Sequence, residues 1–339
     1  MKRKGMLILL WGLMSTHGAG ASTVLYVSKI GSDQSPYSSP STAARSVSAA
    51  VEAAHPGDIV DLAAGEYVEQ VNLKEGIILW GWGADRTILR KPEGAPYVIR
   101  GAARAEIRDL AVVGADHPPE KPWLTSTKGI SLARGPGQLI SDCAIRGWLI
   151  YGVHTDELTA GEPHVVRNTT VSGCDTGLLF EGPGSCAVDN CRLHDNRWNA
   201  ISLRHGAWGL VTWTTMEGKR CGVWAQNISR LEMIGCTIRS TWSGVFAEGA
   251  PISLVSCLIW DCEDGIYMGC AALISLVHCT ITGCERSLYQ AEENEVRIAY
   301  SILWGNTNDY SWPCLQDVVY SDVQGGHEGR GNMDAHPLF

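Results

Sequence analysis

The sequence predicts an all-β parallel β-helix, and three observations carry that prediction. A small residue followed two positions later by an apolar one recurs as Cys143/Ile145, Thr169/Val171, Cys191/Leu193, Thr214/Met216, Cys236/Ile238, Cys257/Ile259, Cys279/Ile281 and Ser301/Leu303. The first members stand 26, 22, 23, 22, 21, 22 and 22 residues apart. A second ladder keeps step with the first: Gly152-Val153, Gly177-Leu178, Ala200-Ile201, Gly222-Val223, Gly244-Val245, Gly265-Ile266 and Ser287-Leu288. No unit holds ten consecutive residues of helical periodicity. A fixed period of this length marks a solenoid, and two short alternations per unit separated by Gly, Asn, Asp and Ser read as strands joined by turns. Each strand then pairs with its equivalent one repeat away, about 4.8 Å off, so equivalent side chains stack into columns.

Taken in order, residues 1–21 have the pattern of a cleavable export signal. Lys2, Arg3 and Lys4 precede a short apolar run from Met6 to Met14, and Ala19-Gly20-Ala21 suits cleavage. The run is too short to anchor the chain in a bilayer, so the expectation is a secreted or periplasmic protein. Loss of the signal's three cations leaves 24 basic against 36 acidic side chains, a net of −12 (24 − 36). That balance argues against nucleic acid or an anionic membrane as partner. It suits a neutral glycan, or an acidic one held through a bound cation. A monomer is expected.

Residues 22–339 form a single domain. Within it, residues 41–54 are predicted as a capping helix: Ala43, Val47, Ala50, Val51 and Ala54 fall at helical spacing, Ser41 caps it and Pro56-Gly57 ends it. Such a cap covers the open end of a solenoid. Irregular early strands follow (Ile59 to Leu62, Val71 to Leu73, Ile77 to Trp80, Thr87 to Leu89), and the regular coils run from about 129 to 304, roughly ten in all. Asn196 and Asn306 read as turn formers.

The run Tyr26-Val27-Ser28, Gly31-Ser32-Asp33, Ala49-Ala50-Val51, Ala54 to Val60 and Ala64-Gly65-Glu66-Tyr67 resembles the opening of secreted right-handed parallel β-helix proteins of the pectin-lyase-like superfamily. The ending, Tyr320-Ser321-Asp322-Val323 and Gly331 to Phe339, is similar to their last coil. The resemblance implies a right-handed single-stranded coil, and a superfamily that includes polysaccharide lyases, hydrolases, esterases and epimerases. It carries over no catalytic residue. The paired Asp and G-H-G of polygalacturonases and the Arg-rich signature of pectate lyases are absent. Glu162-Pro163-His164-Val165 partly resembles the D-P-H-(D/E) of mannuronan epimerases, but both acids are altered or lost.

Twelve cysteines in an exported chain suggest either disulfides or columns of small residues. Cys143, Cys191, Cys236, Cys257 and Cys279 share one column and Cys174, Cys262 and Cys284 lie near another, so free buried thiols are favoured. Cys257–Cys279 and Cys262–Cys284 are the pairs to test for bridging.

Candidate functional residues follow from alternation. Counting from the Gly of the second ladder, positions +1 and +3 point inward and +2 and +4 outward. The outward set includes His154 and Asp156, Glu181, Arg204 beside His205, Trp224 and Gln226, Phe246 and Glu248, then Tyr267. Two insertions, at 113–129 and 156–164, flank this face and make it a groove. Trp224, Gln226, Phe246, Glu248 and Tyr267 offer ring faces and polar groups for binding an acidic polysaccharide or other glycan. Asp156 and Glu181, about 5 Å apart by coil spacing, are placed to hold Ca²⁺ through oxygen. Arg204, with His205 or His154, is then placed to remove a proton alpha to a uronate carboxylate, for β-elimination or epimerisation. The same columns also suit a non-catalytic glycan-binding or structural surface module, because solenoids stack like residues outside as well as inside.

Overall fold

A computed structural model describes residues 22–115, 127–155, 157–291, 294–308 and 315–337. It is a parallel β-solenoid of three sheets, with thirteen, ten and twelve strands, called here the base, front and side sheets. Every strand pairs in parallel with its counterpart one coil away. The ten front strands match the roughly ten coils expected. Among the described residues no helix is long and apolar enough to cross a membrane.

The repeat has three strands per coil, not two. The one that sequence reading missed, in the base sheet, runs just ahead of the small-residue column, as in Ser185–Asp189, Trp208–Thr212 and Arg230–Ile234. A single residue with left-handed backbone joins it to the side sheet: Asp142, Asn168, Asn190, Trp213, Ser256, His278, Tyr300 and Tyr320 all have φ between 48° and 57°. A bend that short leaves no loop of turn residues in the sequence, so two strands read as one run.

The small-residue column has a chemical role at this bend. Each side chain donates to the carbonyl two residues earlier: Cys143 Sγ to Ser141 at 3.1 Å, Thr169 Oγ1 to Arg167 at 2.8 Å, Thr214 Oγ1 to Thr212 at 2.9 Å, Cys257 Sγ to Val255 at 3.5 Å and Ser301 Oγ to Ala299 at 2.9 Å. Cys, Thr and Ser interchange because each is small and carries a hydrogen-bond donor. A disulfide would remove that donor. The eleven described cysteines are all free thiols, ten of them buried.

Asn196 and Asn306 do more than form turns. Asn196 is fully buried and spans coils, accepting from Cys174 N at 3.2 Å and donating to Val171 O at 3.3 Å. Asn306 repeats the pattern with Cys284 N and Ile281 O. Each satisfies backbone groups that the corner leaves unpaired.

The cap is shorter than expected. The helix runs Val47–Ala53, and its N-cap is Ser46, which accepts from Ala49 N. The segment before it pairs as strand, with Ala44 N donating to Tyr26 O and Ser28 N to Ala44 O at 2.8 Å. Ser41 instead bonds Ser39. Glu69 receives the first helical N–H groups, from Val47 and Ser48, at 3.0 and 3.1 Å. Buried Val47, Ala50 and Val51 close the end of the core.

Candidate functional site

The front sheet holds the outward columns in the predicted register. Ser131, His154, Leu179, Ser202, Trp224, Phe246, Tyr267 and Tyr289 are successive partners, and Glu181, Arg204, Gln226 and Glu248 form the column beside them. Just before the first column Val153, Leu178, Ile201, Val223, Val245 and Ile266 point inward, as do Phe180, Leu203, Ala225 and Ala247 between the two columns, and all are fully buried. The strand register of the assignment therefore holds, but Ser131, Leu179 and Ser202 in the outward column are themselves buried.

At the charged end, Glu181 gathers its neighbours. His154 Nε2 lies 3.8 Å from Glu181 Oε2, and His205 Nδ1 and Arg204 Nη1 lie 3.6 and 4.0 Å from Oε1. Its backbone N–H donates to Thr155 Oγ1 at 2.9 Å. The segment after Thr155 folds against this strand end: Leu158 is buried and its N–H donates to the Glu181 carbonyl. One wall of the expected groove is thus present beside Glu181. Asp156 and residues 116–126, the core of the other insertion, lie outside the described residues. What surrounds the Glu181 carboxylate is two imidazoles and a guanidinium, a setting for holding a base and an anion close together.

The aromatic column differs from the sugar platform expected of it. Trp224 and Phe246 stack with centroids 4.0 Å apart and planes 15° apart; Phe246 and Tyr267 follow at 5.0 Å and 15°, then Tyr267 and Tyr289 at 5.0 Å. Arg220 lies over the Trp224 ring at 5.1 Å, and Arg286 over the Tyr289 ring at 4.4 Å. The rings face one another and an arginine closes each end. Coil spacing dictates this, because flat side chains on adjacent strands meet face to face before they meet solvent. Gln226 and Glu248 likewise satisfy each other, Nε2 donating to Oε2 at 3.0 Å. Of the five residues expected to bind a glycan, Trp224 borders the cavity that lies beside this column.

That cavity, about 230 Å³, lies where the corner preceding the front strands meets the front face. Arg204 and Trp224 border it together with Tyr151, Asp175, Trp198, Asn199 and Arg220. Arg220 sits between two indoles, 4.9 Å from the Trp198 ring and 5.1 Å from that of Trp224. Burial pushes the Asp175 carboxyl above its ordinary range, with Arg197 at 3.8 Å opposing the shift. Four atoms around this space are buried without a hydrogen-bond partner in the protein: Arg204 Nε, Trp224 Nε1, Asn199 Oδ1 and Asp175 Oδ1.

The sequence-based candidate site leaves out Asp175, Trp198, Asn199 and Arg220. A signal existed. Asp175, Trp198 and Arg220 are 23 and 22 residues apart, so they occupy equivalent positions on successive coils, just before the strands Thr176–Glu181, Asn199–Arg204 and Cys221–Gln226. Strand alternation assigns no direction at a corner. His164 has the opposite fate. It is 2 % exposed, accepts from Gln138 N at 3.4 Å, and burial lowers its pKa to about 4. It is a neutral core residue.

A family model described as "Right handed beta helix region" matches residues 128–239 and 221–316. No curated protein sequence matches the chain. Among solved structures it is similar to the A-module of a mannuronan C-5 epimerase from Azotobacter vinelandii, at 15% identity and TM-score 0.54, over 86% of this chain and 95% of that one. It is similar also to XylC, solved with xylose, at 10% identity and TM-score 0.65, over 93% and 87%. A third is the enzymatically active domain of tailspike protein 2 of bacteriophage CBA120, at 14% identity and TM-score 0.59, over 75% of this chain and 44% of that one. At these identities the likeness establishes the fold.

Proposed function

The chain belongs to the right-handed β-helix family, and from that premise we propose that it is an exported carbohydrate-active protein acting on an acidic polysaccharide along the front sheet. The observation that carries the reading is the convergence of His154, His205 and Arg204 on Glu181 at 3.6–4.0 Å, next to a cavity that Arg204 also borders. The printed names of the similar structures, a mannuronan epimerase and a protein holding xylose, support a saccharide as ligand.

In this reading Arg204 neutralises the uronate carboxylate, which acidifies the carbon alpha to it. An imidazole, His154 or His205, takes that carbon's proton, and Glu181 orients the ring and stabilises the imidazolium that forms. The resulting enolate either expels the glycosidic oxygen beta to the acid, leaving an unsaturated uronate, or regains a proton on its opposite face as the epimer. Ca²⁺ bound through Glu181 and Asp156 would supply further charge neutralisation for the same carboxylate. The closed aromatic stack favours a second reading, in which the cavity binds a glycan without chemistry, because it removes most of the expected substrate track.

The test is incubation of purified protein with a panel of uronate polymers, with Ca²⁺ and with chelator. New ultraviolet absorbance from unsaturated ends identifies elimination, and a changed proton NMR pattern identifies epimerisation. Glu181→Ala should slow either about 10²-fold. Polymer retention with no product would leave binding alone, and neither product nor retention would sink both readings.

A further inference from the structure

We propose that the cavity between Trp198 and Trp224 is a subsite for one hexuronate unit, with its carboxylate on Arg204 Nε and Trp224 Nε1 and its hydroxyls on Asn199 and Asp175. The proposal rests on the acidic-glycan reading above and adds to it the orientation of the sugar and the residues that hold it.

The argument starts from four of the buried side-chain atoms that lack a hydrogen-bond partner; one of them, Asp175 Oδ1, has only the Arg197 guanidinium at 3.8 Å. Buried polar groups are almost always satisfied, and those left over require an explanation. Here they belong to residues that border one space, and they divide by kind. Arg204 Nε and Trp224 Nε1 are donors, one of them on a permanent cation; Asn199 Oδ1 and Asp175 Oδ1 are acceptors. Asn199 is 5 % exposed, so its amide oxygen has little water to turn to. A ligand that satisfies all four needs an anionic acceptor at one end and donors at the other. A sugar acid has that polarity within one ring, whereas inorganic phosphate or a simple carboxylate lacks the hydroxyl end.

Size and shape agree. The volume, about 230 Å³, is below the roughly 300–1,000 Å³ of pockets for drug-sized ligands, which suits one pyranose unit of a longer chain. Tyr151 and Trp198 supply apolar wall for the ring's C–H faces. Arg220, held between the two indoles, adds fixed positive charge without moving to meet the ligand. The cavity opens beside Arg204, whose Nη1 lies 4.0 Å from Glu181. One guanidinium therefore reads the carboxylate and links it to the proposed proton-transfer groups.

Calorimetric titration of the whole protein with sodium glucuronate and with glucose tests this, since the two sugars differ only at the carbon bearing the acid. Glucuronate should bind about tenfold or more tightly, the value of a charge-assisted hydrogen bond. Trp224→Phe keeps a ring against Phe246 but removes the N–H, and should lower glucuronate affinity several-fold with little change for glucose. Asn199→Ala should weaken both sugars alike, and serves if the first variant fails to fold. Equal affinity for the two sugars, an unchanged Trp224→Phe, or no binding of either by folded protein overturns the proposal. Polymer turnover without discrimination between monosaccharides would overturn this subsite and leave the proposed function standing; discrimination without turnover would do the reverse.

Discussion

The two halves of the front sheet share a backbone and differ in what they can do. From Tyr151–Thr155 to Cys221–Gln226 the outer face carries a cluster of ionisable groups beside a cavity. From there to Arg286–Gln290 it carries a column of rings closed by arginines. Beneath both halves the inward residues are the same kind, Val153, Ile201, Val245 and Ile266, all fully buried. The solenoid thus separates stability from chemistry. A periodic interior fixes strand spacing, and the exterior is free to change from a charged cluster to a column of rings.

Four substitutions or conditions should break or sharpen that contrast. Ile266→Asp places a charge in the shared interior and should cost about 4 kcal/mol or more, so both halves are lost together; thermal melting that stays unchanged would refute the inward register. Next is pH. His164 folds with its pKa lowered to about 4 from 6.5, so the unfolded chain binds more protons in that range. Its contribution is full above about pH 6.5 and is lost as pH falls towards 4, up to about 3 kcal/mol. Urea titrations at pH 7 and pH 4.5 should show that loss, and His164→Gln should flatten it.

Glu181→Ala should leave the melting temperature within a degree or two and lower turnover of the right polymer about 10²-fold, near 2.7 kcal/mol. A large stability loss with intact turnover would assign Glu181 to structure. The smallest effect falls in the aromatic half. Phe246→Ala removes two ring contacts and should cost about 1–2 kcal/mol while leaving monosaccharide affinity unchanged. Loss of affinity there would mean that the stack is part of the ligand site after all.

What was legible in the sequence was whatever repeats. The register of Ser202, Trp224, Phe246 and Tyr267 follows from counting two residues at a time, and it holds. The base-sheet strand did not show, because a one-residue bend at positions such as Asn190 and Ser256 leaves no turn signature. Which residues form the outer stripe was readable; that its rings face one another was not, since side-chain torsion has no period in sequence. Asp175, Trp198 and Arg220 stand at corners, where alternation assigns no direction. The helix starts later than expected because Ala43 and Ala44 suit a helix, but the strand beside them takes the Ala44 backbone and the Asp33 N–H takes the Ala43 carbonyl.

The donor column inside the coils has one more consequence, and it concerns time. Thiolate rather than thiol reacts with alkylating agents, and burial pushes Cys143, Cys174 and Cys191 up to about 12. While their coils stay closed they are silent. Cys270, exposed, is not. Peptide-by-peptide labelling rates, referenced to Cys270, would therefore record how often the coils that hold Cys143, Cys174 and Cys191 open, so that this stretch of the chain carries its own row of clocks.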